Sequence, residues 1–359
     1  MDRNCNGVPG DTPIWVRYDR KFVDCIPVAK LALSSSPPKT VEVLSAADWA
    51  APKKIVRRMW HGPIYTLRSG DAVIRSTGNH AVVANGLGVL ADTVNVGARL
   101  RLLEPPPSEF TTTTPEHAWL LGFFAAEGSV SLDRVSFSNS DRALLARTKE
   151  MLERVYAQVA PLYPKLNHST GAAEVQDRDV AKWYLKKATA TYRIPHVEWV
   201  KGAGRTQRND RDVSFKKVPR LILNAPTGIV QSFLDGYIDG DGHRFANGVI
   251  SQETTDYVLA AGLHHLYQRV GTQVRSLWRP GAEPNHSDVF TLDTLLGTRP
   301  RRKAKDVVCE IHIQEDWHDY VYDIWFEGDA CTFVAGVGSV VVYNGRKAGH
   351  ASDVLPKAA

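Results

Sequence analysis

The chain has 359 residues, 43% of them apolar, and a net charge of +5. That length allows two domains, or three, with cores of ordinary size, and no apolar run approaches the roughly eighteen residues that would span a bilayer. The opening MDRNCNGVPGDTP carries no apolar stretch behind its charges, which argues against a secretory signal and for an intracellular protein.

The four cysteines, Cys5, Cys25, Cys309 and Cys331, form no CxxC pair. They read as free thiols and not as a zinc site or a disulfide framework. Basic residues gather at Lys186-Lys187, from Arg205 to Arg220 and from Arg299 to Lys305. This pattern suits a polyanionic partner, although each cluster alone is equally a solvated loop.

In chain order, the first hundred residues predict short strands separated by Gly, Asn and Pro: PIWVRY, PIYTLR, AVIRST and HAVVANG. This compact all-β unit closes at Leu100-Arg-Leu-Leu-Glu104. PPPSEFTTTTP cannot continue a sheet and reads as a linker. Thr114 is a suitable N-cap, and Pro115 suits the first helical position, where its missing N–H costs nothing. The run AWLLGFFAA leads to Glu127-Gly128, with Gly128 expected as a left-handed closing residue. RVSFSNSD predicts a strand and ALLARTKEMLERVYAQV an amphipathic helix.

The same order then returns. IVQSFLDGYI runs to Asp239-Gly-Asp241-Gly242, NGVISQETTD predicts a strand or turn, and YVLAAGLHHLYQRVG predicts a second amphipathic helix. Glu127 and Asp241 lie 114 residues apart, as do Val135 and Val249, and Leu152 and Leu266. A constant offset of this kind marks an internal duplication. After residue 300 strand-like patterning resumes with VVCEIHI, YVYDIWFE, TFVAGV and SVVVYN. The fold class is therefore mixed: an all-β domain (residues 7–104 and 306–344) split by an inserted, duplicated α/β domain. The insert covers 115–300, with repeats at about 115–220 and 221–300, and residues 345–359 read as a loose tail.

The chemistry-bearing feature is the pair of helix ends. Gly122 with Ala126, and Gly236 with Gly240, place small residues four apart on one helical face. Two such stripes let helices touch nearly backbone to backbone. The acid shared by both copies is the residue before the last glycine, Glu127 and Asp241; Asp235 and Asp239 correspond to Leu121 and Ala125. A carboxylate at a helix C-terminus opposes the dipole, and two brought together repel. A divalent cation relieves both penalties. Two carboxylates with waters and phosphate oxygens suit Mg2+, which can activate a water and neutralise charge on a phosphate.

The segments Leu120-Leu-Gly-Phe-Phe-Ala-Ala-Glu-Gly128 and Leu234-Asp-Gly-Tyr-Ile-Asp-Gly-Asp-Gly242 resemble the LAGLIDADG motif of homing endonucleases, the second more closely. The resemblance implies a single-chain monomer with internal pseudo-two-fold symmetry. It also implies a saddle of sheets over a long double-stranded DNA site, and Glu127 and Asp241 as catalytic Mg2+ ligands. The family often places a lysine near the metals. Lys216 or Lys217 is the candidate, with plain DNA-backbone contact the more ordinary reading. Arg220, Arg301 and Arg302 are further candidates for DNA contact.

The flanking segments resemble an intein (Hint-type) frame. Gly10-Asp-Thr-Pro-Ile14 is similar to its opening block and Thr77-Gly-Asn-His80 to its TxxH block. VYDIWFEGDACTFVAGVGSVVVYN, ending at Asn344, is similar to its closing blocks. The resemblance implies processing roles for Thr77, His80 and Asn344. Splicing needs a nucleophile at each junction. Alignment places the first intein residue near Gly7, and Gly345 follows Asn344. Tyr343 and Cys331 stand where that family has histidines. Cys5 could be the first residue only with two extra residues before the opening block. The flanks of six and fifteen residues are short for a host protein. The expectation is a frame without competent splicing nucleophiles around a DNA endonuclease. A self-processing intein with a decayed nuclease, and a maturase-like binder, are the alternatives.

Overall fold

A computed structural model describes residues 6–32, 41–111, 113–131, 134–139, 141–156, 162–163, 173–177, 216–281, 287–294, 304–326 and 331–344. The chain forms two compact units. One comprises Met1–Pro107, Trp199–Lys217 and Glu253–Ala359; the other comprises Ser108–Glu198 and Val218–Gln252.

The first unit is built on two antiparallel sheets. In the larger, of eight strands, the order is Trp49–Ala50, Val41–Leu44, Pro13–Tyr18, Thr332–Ala335, Val340–Tyr343, Ala81–Ala84, Leu87–Leu90, with Phe22–Pro27 also on Pro13–Tyr18. Strands from the two ends of the chain thus share one sheet. Their buried Ile14, Val16, Val82, Val83, Phe333 and Val341 supply its core. The smaller sheet runs Val8–Pro9, Glu310–Phe326, Pro52–Arg68, Val73–Thr77.

Two of these strands are far longer than the sequence pattern suggests. PIYTLR is the end of a 17-residue strand, and VVCEIHI and YVYDIWFE merge into another of 17 residues. Their pairing survives two register shifts, one between Gln314 and Trp317, where a bulge absorbs one extra residue, and one between Trp325 and Phe326. A short helix, Val28–Ala32, also interrupts the expected all-β stretch. Among the described residues Cys25, Cys309 and Cys331 form no disulfide, and Cys5 lies outside the described residues.

The second unit opens where the expected linker lies, but that stretch is tied down. Ser108 Oγ donates to Asn224 Oδ1 at 2.6 Å and Thr111 Oγ1 to the Leu221 carbonyl at 2.6 Å. The Pro115–Glu127 helix starts as its sequence dictates, with Thr114 Oγ1 accepting from His117 N and proline in the first turn. The strands Gly128–Ser131, Arg134–Asn139, Ala173–Asp177 and Leu162–Tyr163 form a four-stranded antiparallel sheet in that order, and the helix Arg142–Tyr156 follows its second strand in sequence. The helix Thr227–Asp241 leads into the hairpin Gly242–Arg244 and Ile250–Thr254.

The element order of the duplication is present: helix, strand pair, helix, strand pair, from Pro115 to Asp177 and again from Thr227 to Thr294. The second copy does not stay in one unit. The helix Tyr257–Arg269 and the hairpin Val274–Arg279 with Val289–Thr294 belong to the β unit, inside the span expected for the insert. Burial explains this. Every residue from Tyr257 to Tyr267 is buried, Tyr257 stacks on Phe290 at 4.6 Å, and its hydroxyl donates to the Val73 carbonyl at 2.8 Å.

Lys217 is a correction. Expected at a DNA surface or beside metals, it is fully buried in the β unit, and its Nζ donates to both carboxylate oxygens of Asp24 at 2.8 and 2.9 Å. It is committed to an ion pair and faces no solvent. Lys217→Met would leave Asp24 charged and buried without its cation, costing about 3–5 kcal/mol. Denaturant unfolding should show that loss, and Asp24→Asn in the same chain should recover part of it.

Candidate active site

The two motif helices, Pro115–Glu127 and Thr227–Asp241, pack through their small residues. A Cβ on Gly122 would run into the Phe233 carbonyl oxygen, and one on Gly236 into that of Trp119. At Gly240 it would meet Ala126 Cβ at 2.6 Å and Glu127 Cγ at 3.2 Å. The stripes therefore meet backbone to backbone, while Leu120, Leu121, Phe123, Val230, Phe233 and Leu234 are buried.

Both acids sit on the last helical residue of their copy, Glu127 half-buried and Asp241 exposed. The Glu127 side chain lies against Gly240, the neighbour of Asp241. Asn139 Nδ2 donates to Glu127 Oε1 at 3.1 Å. This amide holds one oxygen in place and was not singled out from sequence.

The closing glycines differ from expectation. Gly128 has φ −77° and ψ 143°, and Gly242 has φ −88° and ψ 128°, so both are extended and not left-handed. Each helix passes straight into a strand at Gly128 and Gly242. Glycine is needed there for room. A Cβ on Gly242 would lie 2.6 Å from the Ile238 carbonyl oxygen, and one on Gly128 would strike Phe124.

Asp239, which has no acidic counterpart in the first copy, has a different task. Its Oδ2 accepts from Trp119 Nε1 at 2.9 Å and from Arg147 at 3.2 Å, linking the motif helices beside the stripe. The Arg147 guanidinium also lies over the Trp119 ring, 4.4 Å from its centroid. Sequence offered no signal for this bridge, since Asp239 and Trp119 sit on different helices.

Glu127 and Asp241 offer hard carboxylate oxygens; among the described residues no group of three or more His, Cys, Asp and Glu gathers to hold a metal, at these helix ends or elsewhere. Two carboxylates at converging helix ends fit a Mg2+ ion that takes its other ligands from water and phosphate. Of the candidate basic residues, Lys216 and Arg220 are half-buried. Arg301 and Arg302 lie outside the described residues.

In the β unit, the frame residues do gather. Thr77 Oγ1 accepts from Gly7 N at 3.1 Å, and Thr77 N donates to the Gly7 carbonyl at 2.9 Å. His80 N donates to the Thr77 carbonyl at 3.0 Å. Val342 pairs with Val82, in the strands that end next to Asn344 and start next to His80. Asn344 N donates to the Cys331 carbonyl at 2.8 Å. His80 is fully buried, neither ring nitrogen has a hydrogen-bond partner among the described residues, and burial lowers its pKa.

Residues 114–179 match the family model described as a LAGLIDADG-like domain. The chain carries a LAGLIDADG-like domain. It begins at the N-cap of the first motif helix and takes in the four-stranded sheet that follows. Among curated proteins, a DNA polymerase of Acanthamoeba polyphaga mimivirus is 22% identical over 94% of this chain. An A-type ATP synthase component of Methanopyrus kandleri is 27% identical over 53%. The chain spans only 20% and 16% of those relatives' lengths.

Among solved structures, a variant of I-DmoI with its target DNA and Mn has a TM-score of 0.33 at 11% identity, covering 50% of this chain and 87% of that one. A transcription factor IIB Mvu mini-intein has a TM-score of 0.33 at 11% identity, covering 94% and 99%. Among the described residues, no helix is long and apolar enough to cross a membrane.

Proposed function

We propose that the chain is a site-specific double-strand DNA endonuclease of the homing type, hydrolysing phosphodiester bonds where its two motif helices end. The observation that supports this reading is the backbone-close packing of those helices, with the Glu127 side chain against Gly240, the residue before Asp241. Stability gives no reason for carboxylates there, because each opposes its helix dipole. Their use is as Mg2+ ligands. Bound Mg2+ would supply Lewis acidity and an activated water at the scissile phosphate. Asn139 holds Glu127 in place, and Asp239 with Trp119 keeps the helices in register. One chain supplies both acids, so a monomer suffices, with the two copies as pseudo-symmetric halves. Phosphate contacts would make binding strongly salt-dependent.

The β unit is an intein-like frame without competent splicing nucleophiles. Gly7 occupies the position beside Thr77, and a Cβ there would lie 2.5 Å from the Tyr322 carbonyl oxygen. The place a cysteine or serine would need is thus filled by backbone. On this reading the purified chain keeps its full mass on incubation.

A plasmid library of randomised sites, incubated with the full chain and Mg2+, tests the nuclease. Linear product that vanishes with EDTA and returns with excess Mg2+ is the expected result. Absence of cutting in Mg2+ and Mn2+ alongside retained DNA binding would instead favour a maturase-like binder.

A further inference from the structure

The two long strands of the β unit form a ribbon whose faces differ. On one face Ile64, Trp317 and Val321 form a buried cluster with Trp60 against it. This packing locks the register, because a slip by one residue would turn the cluster out to water. Opposite Trp317 the chain has Gly62 at φ +153°, where the Trp60 ring leaves a Cβ only 3.2 Å. The other face carries His61 and His318, directly paired across the strands and both exposed. Their ring centroids lie 3.6 Å apart at 56°. No step of DNA hydrolysis or of the frame's chemistry uses them.

We propose that His61 and His318 form a two-histidine chelate for a divalent transition-metal ion such as Ni2+, Zn2+ or Cu2+. Imidazole nitrogen suits these ions, whereas Mg2+ prefers oxygen, so this site is chemically distinct from the carboxylate pair. The fixed register holds both rings side by side before any ion arrives. A modest outward swing of each ring lets one nitrogen of each reach about 2.0–2.1 Å from a shared ion, with water completing the shell. Partial desolvation and the neighbouring His61 hold His318 below the usual imidazole range, which favours the neutral, donating form.

Titration of the untagged full chain with Ni2+, followed by calorimetry, tests this. One equivalent should bind at the pair, and His61→Ala or His318→Ala should each weaken that binding about tenfold or more, as loss of one of two ligands requires. His312→Ala, elsewhere on the same ribbon, should leave it unchanged. Circular dichroism of each variant should match the parent, since both histidines are exposed. The proposal fails if the parent binds no ion, or if the double variant His61→Ala/His318→Ala binds as the parent does. Neither result bears on cutting with Mg2+.

Discussion

Glu127→Gln and Asp241→Asn are each expected to lower DNA cutting by roughly a thousandfold or more while leaving the protein as stable as before, or slightly more so. On the proposed function, the loss would follow from removing half of the protein's charge on a bound Mg2+ ion, weakening both metal retention and charge stabilisation at the phosphate. The stability change has the opposite sign because a carboxylate at a helix C-terminus is unfavourable by about 0.3–1 kcal/mol. The amide oxygen of a glutamine at 127 can still accept from Asn139 Nδ2, so the local hydrogen bond survives. Cleavage rate and denaturant midpoint should be measured on the same preparations. If cutting persists in the double variant, the active site lies elsewhere. If stability falls by several kcal/mol, the acids serve the fold.

The second large effect concerns the helix pair. Gly236→Val should destabilise the unit that holds the motif helices by at least about 3 kcal/mol, because its Cβ points into the Trp119 carbonyl and a backbone atom cannot swing aside. The acids would be displaced with the helices, so cutting should vanish even where the variant still folds. Gly228→Ala is the matched control. It lies in the same helix, and nothing stands within 4 Å of its added Cβ. There the exchange should be neutral or should stabilise by about 0.5–1 kcal/mol. Urea unfolding separates the two outcomes cleanly.

How much of this was legible in the sequence depended on how local the cause was. The glycine stripes were readable because spacing by four on a helix fixes a face without further information. The cap at Thr114 and Pro115 was readable for the same reason. The conformation of Gly128 and Gly242 was not, since a glycine after a helix signals a left-handed turn and a direct exit into a strand equally well. Lys217 looked like one of a basic run, and its partner Asp24 lies 193 residues away. The long strands were obscured by Pro63 within one and a bulge within the other. The helix Tyr257–Arg269 shows the duplication in its position, but only packing reveals which unit it serves.

That last division has a consequence for how such a chain can change over generations. The second copy is shared out: its motif helix lies in the same unit as the first motif helix, and its later helix and hairpin belong to the β unit. Excising 115–300 as a block would strip Tyr257, Phe290 and their buried neighbours from the frame and leave it with an open flank. A single exchange at Glu127 or Asp241 is expected to leave both units folded. On the proposed function, inheritance therefore has a gentle route to a silent 115–300 segment and a steep one to its loss, and descendants that no longer cut should still carry that segment.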